Sequence, residues 1–484
     1  MKALTLVTIL VLAAAARGAQ DPGSFESGRR QYDSGNYARA LDYFSVAISS
    51  SKDVAARNRA YYYQGLALYE LGHYYSSYVS FRNALLTADS QNRELYEKAI
   101  RNAVSITDRL NMVDRIGKVL DKIPDNLVPT AVTSHLNYAV GVYEFSTGDL
   151  AKATSRLKSV NPESPYYPKA LFFLGVLATK RKDHKEAAFY FAKIVDSVRG
   201  RKEHFALADL ARLNLARTVY SAGDVEKSIT YYSQFLSGSP HWLNVMLEAS
   251  WPLLRVNDTT VSLGNLHTVT SPFYREDMVA EAYVLRATIL YSLCKYEEMR
   301  RTLSQFFTLY DPVLRSMQLE TSQLGGAGAF YQAYSTGKGL NRAFMGYAKR
   351  DQGVDKDMKV LEMLRKERAD LARFGRNEQM RRMAAVVDET IKSLQLEVGT
   401  ALSRMHRHKM AELVEMREQA NYLKVEIVTG EKELIEGQKG LPPKRVVDVE
   451  TSVAAAYHFW PYHGEYWEDE LGTYVYTTES ACVN

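Results

Sequence analysis

The sequence predicts an all-α protein: an α-solenoid of antiparallel helix pairs, then a long helical hairpin with a coiled-coil-like seam, then a short aromatic tail. Three observations predict it. One spacing of small, turn and apolar residues recurs between residues 22 and 310. Apolar residues at helical 3,4 spacing run through 351–430 among dense, mixed charges. Strand-like alternation of apolar and polar residues is confined to the tail, in Thr473, Tyr474, Val475, Tyr476, Thr477 and Thr478.

Residues 1–18 read as a signal peptide. Lys2 gives a positive start, and the apolar run from Ala3 to Ala16 suits an export signal while falling short of the roughly 20 residues of a membrane span. Ala16 and Gly18 fit an A-x-G cleavage pattern. A mature chain of about 465 residues exceeds one compact core and calls for several units or an extended array. The formal charge of +5 falls to +3 when Lys2 and Arg17 leave with the leader. No basic stripe with interleaved aromatics appears, so nucleic acid is not an expected partner. Two cysteines, Cys294 and Cys482, exclude a scaffold stapled by several disulfides. In an oxidising compartment they could form one bridge; as free thiols they would only pack.

The array is assigned to 22–310. Gly28, Gly35, Tyr37, Ala40, Phe44 and Ala47 stand at offsets 0, 7, 9, 12, 16 and 19. Gly65, Gly72, Tyr74, Ser77, Phe81 and Ala84 repeat them, as do Gly141, Gly148, Leu150, Ala153, Leu157 and Val160. Gly175, Lys182, His184, Ala187, Phe191 and Ile194 follow, then Ala216, Gly223, Val225, Ser228, Tyr232 and Phe235. Ala287, Cys294, Tyr296, Met299, Leu303 and Phe306 close the series. Degenerate units are expected near 243–268 and within 90–125. The spacing describes a helix–turn–helix. A small residue at offset 0 lets the first helix, A, approach the second, B. Glycine at offset 7 supplies turn conformations that other residues resist. Offsets 12, 16 and 19 share one face of helix B. Such a pair cannot hide its apolar face alone and must stack on the next. His184 occupies the Tyr37 position, so its reading is structural rather than metal-binding.

Residues 311–350 break the pattern and read as a glycine-containing connector. Gly337 and Lys338 are followed by Gly339, so the phosphate-loop pattern fails. Across 351–430, Ile391, Leu394, Val398, Ala401 and Met405 form one stripe. Leu413, Met416, Ala420, Leu423 and Ile427 resume it after a skip near His408. Gly375 is expected to separate two helices that fold into a hairpin. His406 and His408, two apart, point to different sides of a helix and lack metal-binding partners. Pro442 and Pro443 stop the helix, and the tail at 441–484 is acidic and aromatic, with a short strand expected over 473–478.

The repeat register resembles the tetratricopeptide repeat (TPR) family. The order of leader, repeats, charged helical segment and aromatic tail ending in FWPYHGEYWEDELGTY…C is similar to a group of exported TPR proteins of myxobacterial type, among them the TPR component of the adventurous gliding-motility machinery. That resemblance implies a periplasmic or outer-membrane-associated subunit of a gliding-motility complex, with envelope proteins as partners. The placing of Cys294 and Cys482 resembles the group's pattern and implies that they pair. No catalytic residue, cofactor or metal is expected, nor a small-molecule ligand or a membrane span in the mature chain. Partner contacts are expected from helix A residues turned away from helix B: Arg29, Tyr32, Tyr62, Tyr69, Asn137, Tyr138 and Phe172. Trp460, Tyr466 and Trp467 are candidates for a second docking patch in the tail. The competing expectation is a wall-binding or wall-modifying factor using Glu465, Glu468, Asp469 and Glu470, and a third is a secreted substrate of the apparatus.

Overall fold

The structure, a computed structural model, describes residues 23–86, 92–197, 205–437, 466–476 and 480–482. The proposed leader and Trp460 lie outside them. The first sixteen helices form eight consecutive A/B pairs: α1 (Gly23–Asp33) with α2 (Tyr37–Ser50), α3 (Val54–Glu70) with α4 (Tyr74–Leu86), α5 (Arg93–Arg109) with α6 (Val113–Leu120), and α7 (Thr133–Thr147) with α8 (Leu150–Lys158). There follow α9 (Tyr167–Lys180) with α10 (His184–Ser197), α11 (Phe205–Ser221) with α12 (Val225–Tyr232), α13 (Trp242–Arg255) with α14 (Thr259–Val269), and α15 (Ala280–Ser292) with α16 (Tyr296–Gln323).

One turn recurs between the partners. Gly35, Gly72, Asn111, Gly148, Lys182, Gly223, Asn257 and Cys294, spaced 34 to 41 residues apart, all have φ between 54° and 94°. At each, the next residue's N–H reaches back five residues to a helix A carbonyl, as Asn36 does to Gln31 and Asp258 to Leu253. This is the left-handed closure that caps a helix C-terminus. In four turns the following aspartate starts helix B: the side chains of Asp149, Asp183, Asp224 and Asp258 accept from backbone N–H groups three residues on. The turns at Asn111 and Asn257 belong to the two degenerate units.

Packing explains the rest of the register. An ideal Cβ on Gly28, Gly65 or Gly175 would fall 2.7, 2.7 or 2.6 Å from a ring carbon of Phe44, Phe81 or Phe191, respectively. Helix A therefore lies directly on the phenylalanine of helix B, and all three rings are buried. Where the contact is polar it keeps the same offsets: the Ser77 hydroxyl donates to the Gly65 carbonyl (2.7 Å) and that of Ser262 to the Ser250 carbonyl (3.0 Å).

Beyond the pairs come α17 (Ala327–Thr336), α18 (Arg342–Arg350), α19 (Gln352–Leu371) and α20 (Glu378–Gly437). The glycine-bearing stretch 311–350 is thus largely helical. Its left-handed glycines, Gly337 and Gly339, fall between helices rather than within them. Among the described residues there is no strand: Thr473 belongs to a turn, and residues 474–476 have no ladder partner because they lie along a helix. No described helix is long and apolar enough to cross a membrane.

The described residues pack as two compact units: residues 23–143 with Leu364–Asp388, and Glu144–Met363 with Glu389 onward. In the first unit the α19–α20 hairpin turns at Gly375 and is tied by Arg368 and Asp388 (2.7 Å). Its tip sits on helices B. The buried Glu367 carboxylate accepts from the Tyr75 (3.2 Å) and Ser76 (2.6 Å) N–H groups and so caps α4 from elsewhere in the chain. Asn377 donates to Asp42 (3.1 Å).

In the second unit α20 runs antiparallel to α16, pairing Arg300 with Glu431 (2.6 Å), Asp311 with Arg417 (3.0 Å) and Glu320 with His406 (2.9 Å). The buried stripe of α20 passes through Leu394, Val398, Leu402, His406, Lys409, Leu413, Met416, Ala420, Leu423 and Ile427. It corrects the expected seam in two ways. Leu402 and His406 take the buried places expected of Ala401 and Met405, which are half-buried with Ile391. There is also no skip, because Lys409 continues the buried stripe between His406 and Leu413.

Candidate partner-binding face

Helix A carries a second register at offsets 1 and 4, with three of the offset-4 tyrosines lying against the first tyrosine of helix B (Tyr32–Tyr37, Tyr69–Tyr74 and Tyr291–Tyr296). Offset 4 holds a tyrosine in four units, Tyr32, Tyr69, Tyr220 and Tyr291, and phenylalanine in another, Phe145. Offset 1 holds Arg29, Arg217 and Trp251, all exposed.

In the first unit of the fold, Arg29 pairs with Asp33 (3.8 Å) and lies 5.7 Å from the centre of the Tyr63 ring. Tyr32 is half-buried between the Tyr37 and Tyr63 rings (5.4 and 6.0 Å). Burial raises the pKa of its phenol, and the Glu70 carboxylate adds to the effect. Arg59 stands over Phe25 (5.8 Å) and Arg109 over Tyr74 (4.6 Å). Tyr69, 41 % exposed, packs edge-on against that same Tyr74 ring at 5.2 Å. Aromatic rings and guanidinium groups thus alternate across the surface, each cation held by a ring face.

Three expected contact residues prove structural. Tyr62, Asn137 and Tyr138 are buried. The Tyr62 ring is wedged between Tyr63 (5.6 Å) and Phe81 (5.5 Å), and the Tyr138 hydroxyl donates to Asp108 (3.2 Å). Tyr62 thus packs within its own pair and Tyr138 against the preceding one, and all three are covered by the fold.

In the second unit Phe172 is half-buried against Phe173 and Phe191. The stronger features lie on α11, α13 and α15. Arg217 forms a forked pair with Glu248 (2.8 and 2.6 Å), which also accepts from the Tyr232 hydroxyl (3.2 Å). The Trp251 Nε1–H donates to Glu281 (2.8 Å), and Arg255 lies 5.8 Å from the Tyr220 ring centre. These contacts bridge the successive A helices α11, α13 and α15.

The tail docks on the same unit. Tyr466 stacks on His267 at 4.7 Å, Tyr474 meets that ring edge-on at 4.8 Å, and Tyr476 lies 6.2 Å away. Enclosed by these rings and beside Arg286, His267 has its pKa lowered to about 3 and is neutral. Trp467 is 56 % exposed, and Glu468, Asp469 and Glu470 point to water on a single 3₁₀ turn. Cys294 and Cys482 are disulfide-bonded, with Cα atoms 5.0 Å apart. Among the described residues no group of three or more His, Cys, Asp or Glu side chains could hold a metal ion.

A family model described as tetratricopeptide repeat matches residues 25–75, which span α1–α3 and the turn into α4. Residues 25–75 form a tetratricopeptide repeat. The same left-handed turn recurs in the later pairs. Solved structures with similar helical folds include the C-terminal part of a TPR repeat-containing protein from Cytophaga hutchinsonii (15% identity; 52% of this chain, 97% of that one; TM-score 0.34). A tetratricopeptide repeat protein from Parabacteroides merdae is another (12%; 59% and 91%; TM-score 0.29). A Rap protein solved with competence and sporulation factor is a third (13%; 79% and 99%; TM-score 0.26). No curated protein matches the sequence.

A register signal could have found the missed residues. Arg217 follows the small Ala216 as Arg29 follows Gly28, and the turn at Asn257 places Trp251 at the same offset. The degenerate seventh pair, with serine at offset 0, conceals it.

Proposed function

We propose that the protein is a non-catalytic interaction scaffold of the cell envelope that takes extended or helical segments of partner proteins on the outward A-helix faces of its tetratricopeptide array. The observation that carries this reading is the second register: exposed Arg29, Arg217 and Trp251 at one offset, with tyrosines at another. Tyrosine, tryptophan and arginine are the side chains that contribute most at protein interfaces. Here they are held in place by ring and carboxylate contacts, which lowers the ordering cost of binding. The leader and the overall likeness in sequence order support export to the periplasm, association with the outer membrane and a place in a gliding-motility complex.

In-cell crosslinking of the full chain tests this against a variant with Arg29→Glu, Arg217→Glu and Trp251→Ala. The expected result is loss of specific envelope neighbours at unchanged helical circular dichroism. An identical set of neighbours refutes the reading.

A further inference from the structure

We infer that the surface along α14 is a peptide groove, occupied here by the chain's own tail and open to the tail of a second copy once Cys294–Cys482 is reduced. The tail follows α14 from its C-terminal to its N-terminal end. The Gly472 N–H donates to the Thr268 hydroxyl (2.9 Å), the Tyr474 carbonyl lies on Gly264, and the Tyr476 N–H donates to the Thr260 carbonyl (3.3 Å). The groove reads both backbone and side chains. A Cβ on Gly264 would occupy the place of the Tyr474 carbonyl, so a passing main chain requires glycine there. The Tyr476 hydroxyl is fixed by accepting from Arg286 (3.3 Å) and donating to Glu298 (3.1 Å), and Tyr466 and Tyr474 enclose His267.

These contacts specify the tail sequence but not which copy supplies it. What selects the chain's own tail is the covalent tie between residues 188 apart in sequence. A dithiol reductant removes it: the reductant gives two electrons and two protons, the Sγ–Sγ bond breaks, two thiols form and the reductant becomes a disulfide. The chain has only two cysteines, one beside the groove and one on the tail. A tail entering from a second copy therefore brings Cys482 to the other copy's Cys294, the exchange that underlies swapped dimers.

The test uses two full chains with different tags. One carries Cys294→Ser. The other carries Cys482→Ser with Tyr474→Ala and Tyr476→Ala, which empties its own groove. Co-incubation with a disulfide oxidant such as oxidised glutathione, which takes up the two electrons and two protons of the two thiols and leaves as two reduced glutathione molecules, should give a disulfide-linked pair joined through Cys482 of the first chain and Cys294 of the second. Adding Gly264→Ala to the second chain should reduce that product at least tenfold, with helical signal and melting retained. Two differently tagged oxidised wild-type chains should exchange only after a dithiol is added. Absence of the linked pair, or equal yield with Gly264→Ala, overturns the inference.

Discussion

Replacing Gly65 by alanine puts a methyl group where Phe81 already is. The new Cβ would lie 2.7, 2.9 and 3.0 Å from three carbons of a ring that is itself buried. Real carbon contacts need roughly 3.5–4.0 Å, so the ring or the helix must give by nearly 1 Å. In an unobstructed helix the same change stabilises by about 0.5–1 kcal/mol, because glycine is a poor helix former. Overpacking a filled core costs about 1–3 kcal/mol. The two effects have opposite signs, and the crowding wins: Gly65→Ala should destabilise the α3–α4 pair by about 1–2 kcal/mol. Amide hydrogen exchange is the suitable assay, because it reads opening of α3 and α4 without assuming that the whole chain unfolds in one step. Shrinking the ring should relieve the clash, so Gly65→Ala in a Phe81→Leu background should cost about 1 kcal/mol less than it does alone. If Gly65→Ala slows exchange in α3 and α4, the glycine is not there for close approach and the packing account fails.

Three further outcomes follow from groups that the fold buries. The Glu367 pKa is raised to about 7, with burial outweighing its hydrogen bonds from Ser76 and Tyr75. Its folded value exceeds its unfolded one, so its contribution is full below about pH 4.5 and is lost, by up to about 3 kcal/mol, as pH rises through 7; Glu367→Gln should flatten this part of the pH dependence of exchange in α4. His267 has the opposite sign. Its folded pKa of about 3 lies below the ordinary 6.5, so stability is complete above 6.5 and falls by about 2 kcal/mol by pH 5. Protection of residues 466–476 should therefore drop on acidification in the wild type and not in His267→Phe, while the disulfide persists. Asp258→Ala removes the side-chain acceptor from the first turn of α14 and should destabilise that helix by about 1 kcal/mol, read as faster exchange at Val261.

The array of helix pairs was legible in sequence because its physics is local. Turn residue, small residue and apolar face stand within twenty positions of one another, and the buried residues at offsets 12, 16 and 19 match that pattern. The units turning at Asn111 and Asn257 were visible only as gaps, since asparagine tolerates the left-handed conformation without announcing it as glycine does. The candidate face was only half legible. Tyr62 and Tyr138 share the register of binding residues, but whether a ring faces solvent depends on the neighbouring pair, which lies about 37 residues away. The tail was the least legible part. Alternating residues suggested a strand, whereas the partner of residues 474–476 is a helix carrying a glycine, and no local pattern in the tail encodes Gly264.

The pairing of α16 with α20 shows the same limit from another direction. Apolar spacing alone leaves two adjacent stripes on α20, one through Ala401 and Met405 and one through Leu402 and His406. Hydrophobicity favours neither strongly, since alanine and methionine are no less apolar than leucine and histidine together. The decision is made by Glu320 on α16, which is buried, hydrogen-bonded by Ser316 and 2.9 Å from His406. Phe330 and Phe344 hold the His406 ring edge-on (5.3 and 4.9 Å), so sliding the helices by one turn would leave the buried Glu320 without its imidazole partner. Leaving a buried polar group without its hydrogen-bond partner costs about 1–3 kcal/mol, which a repacked leucine does not readily recover. The polar residue in the seam is therefore what sets the register of the seam. It had the form of an interruption in the sequence because its partner stands 86 residues away.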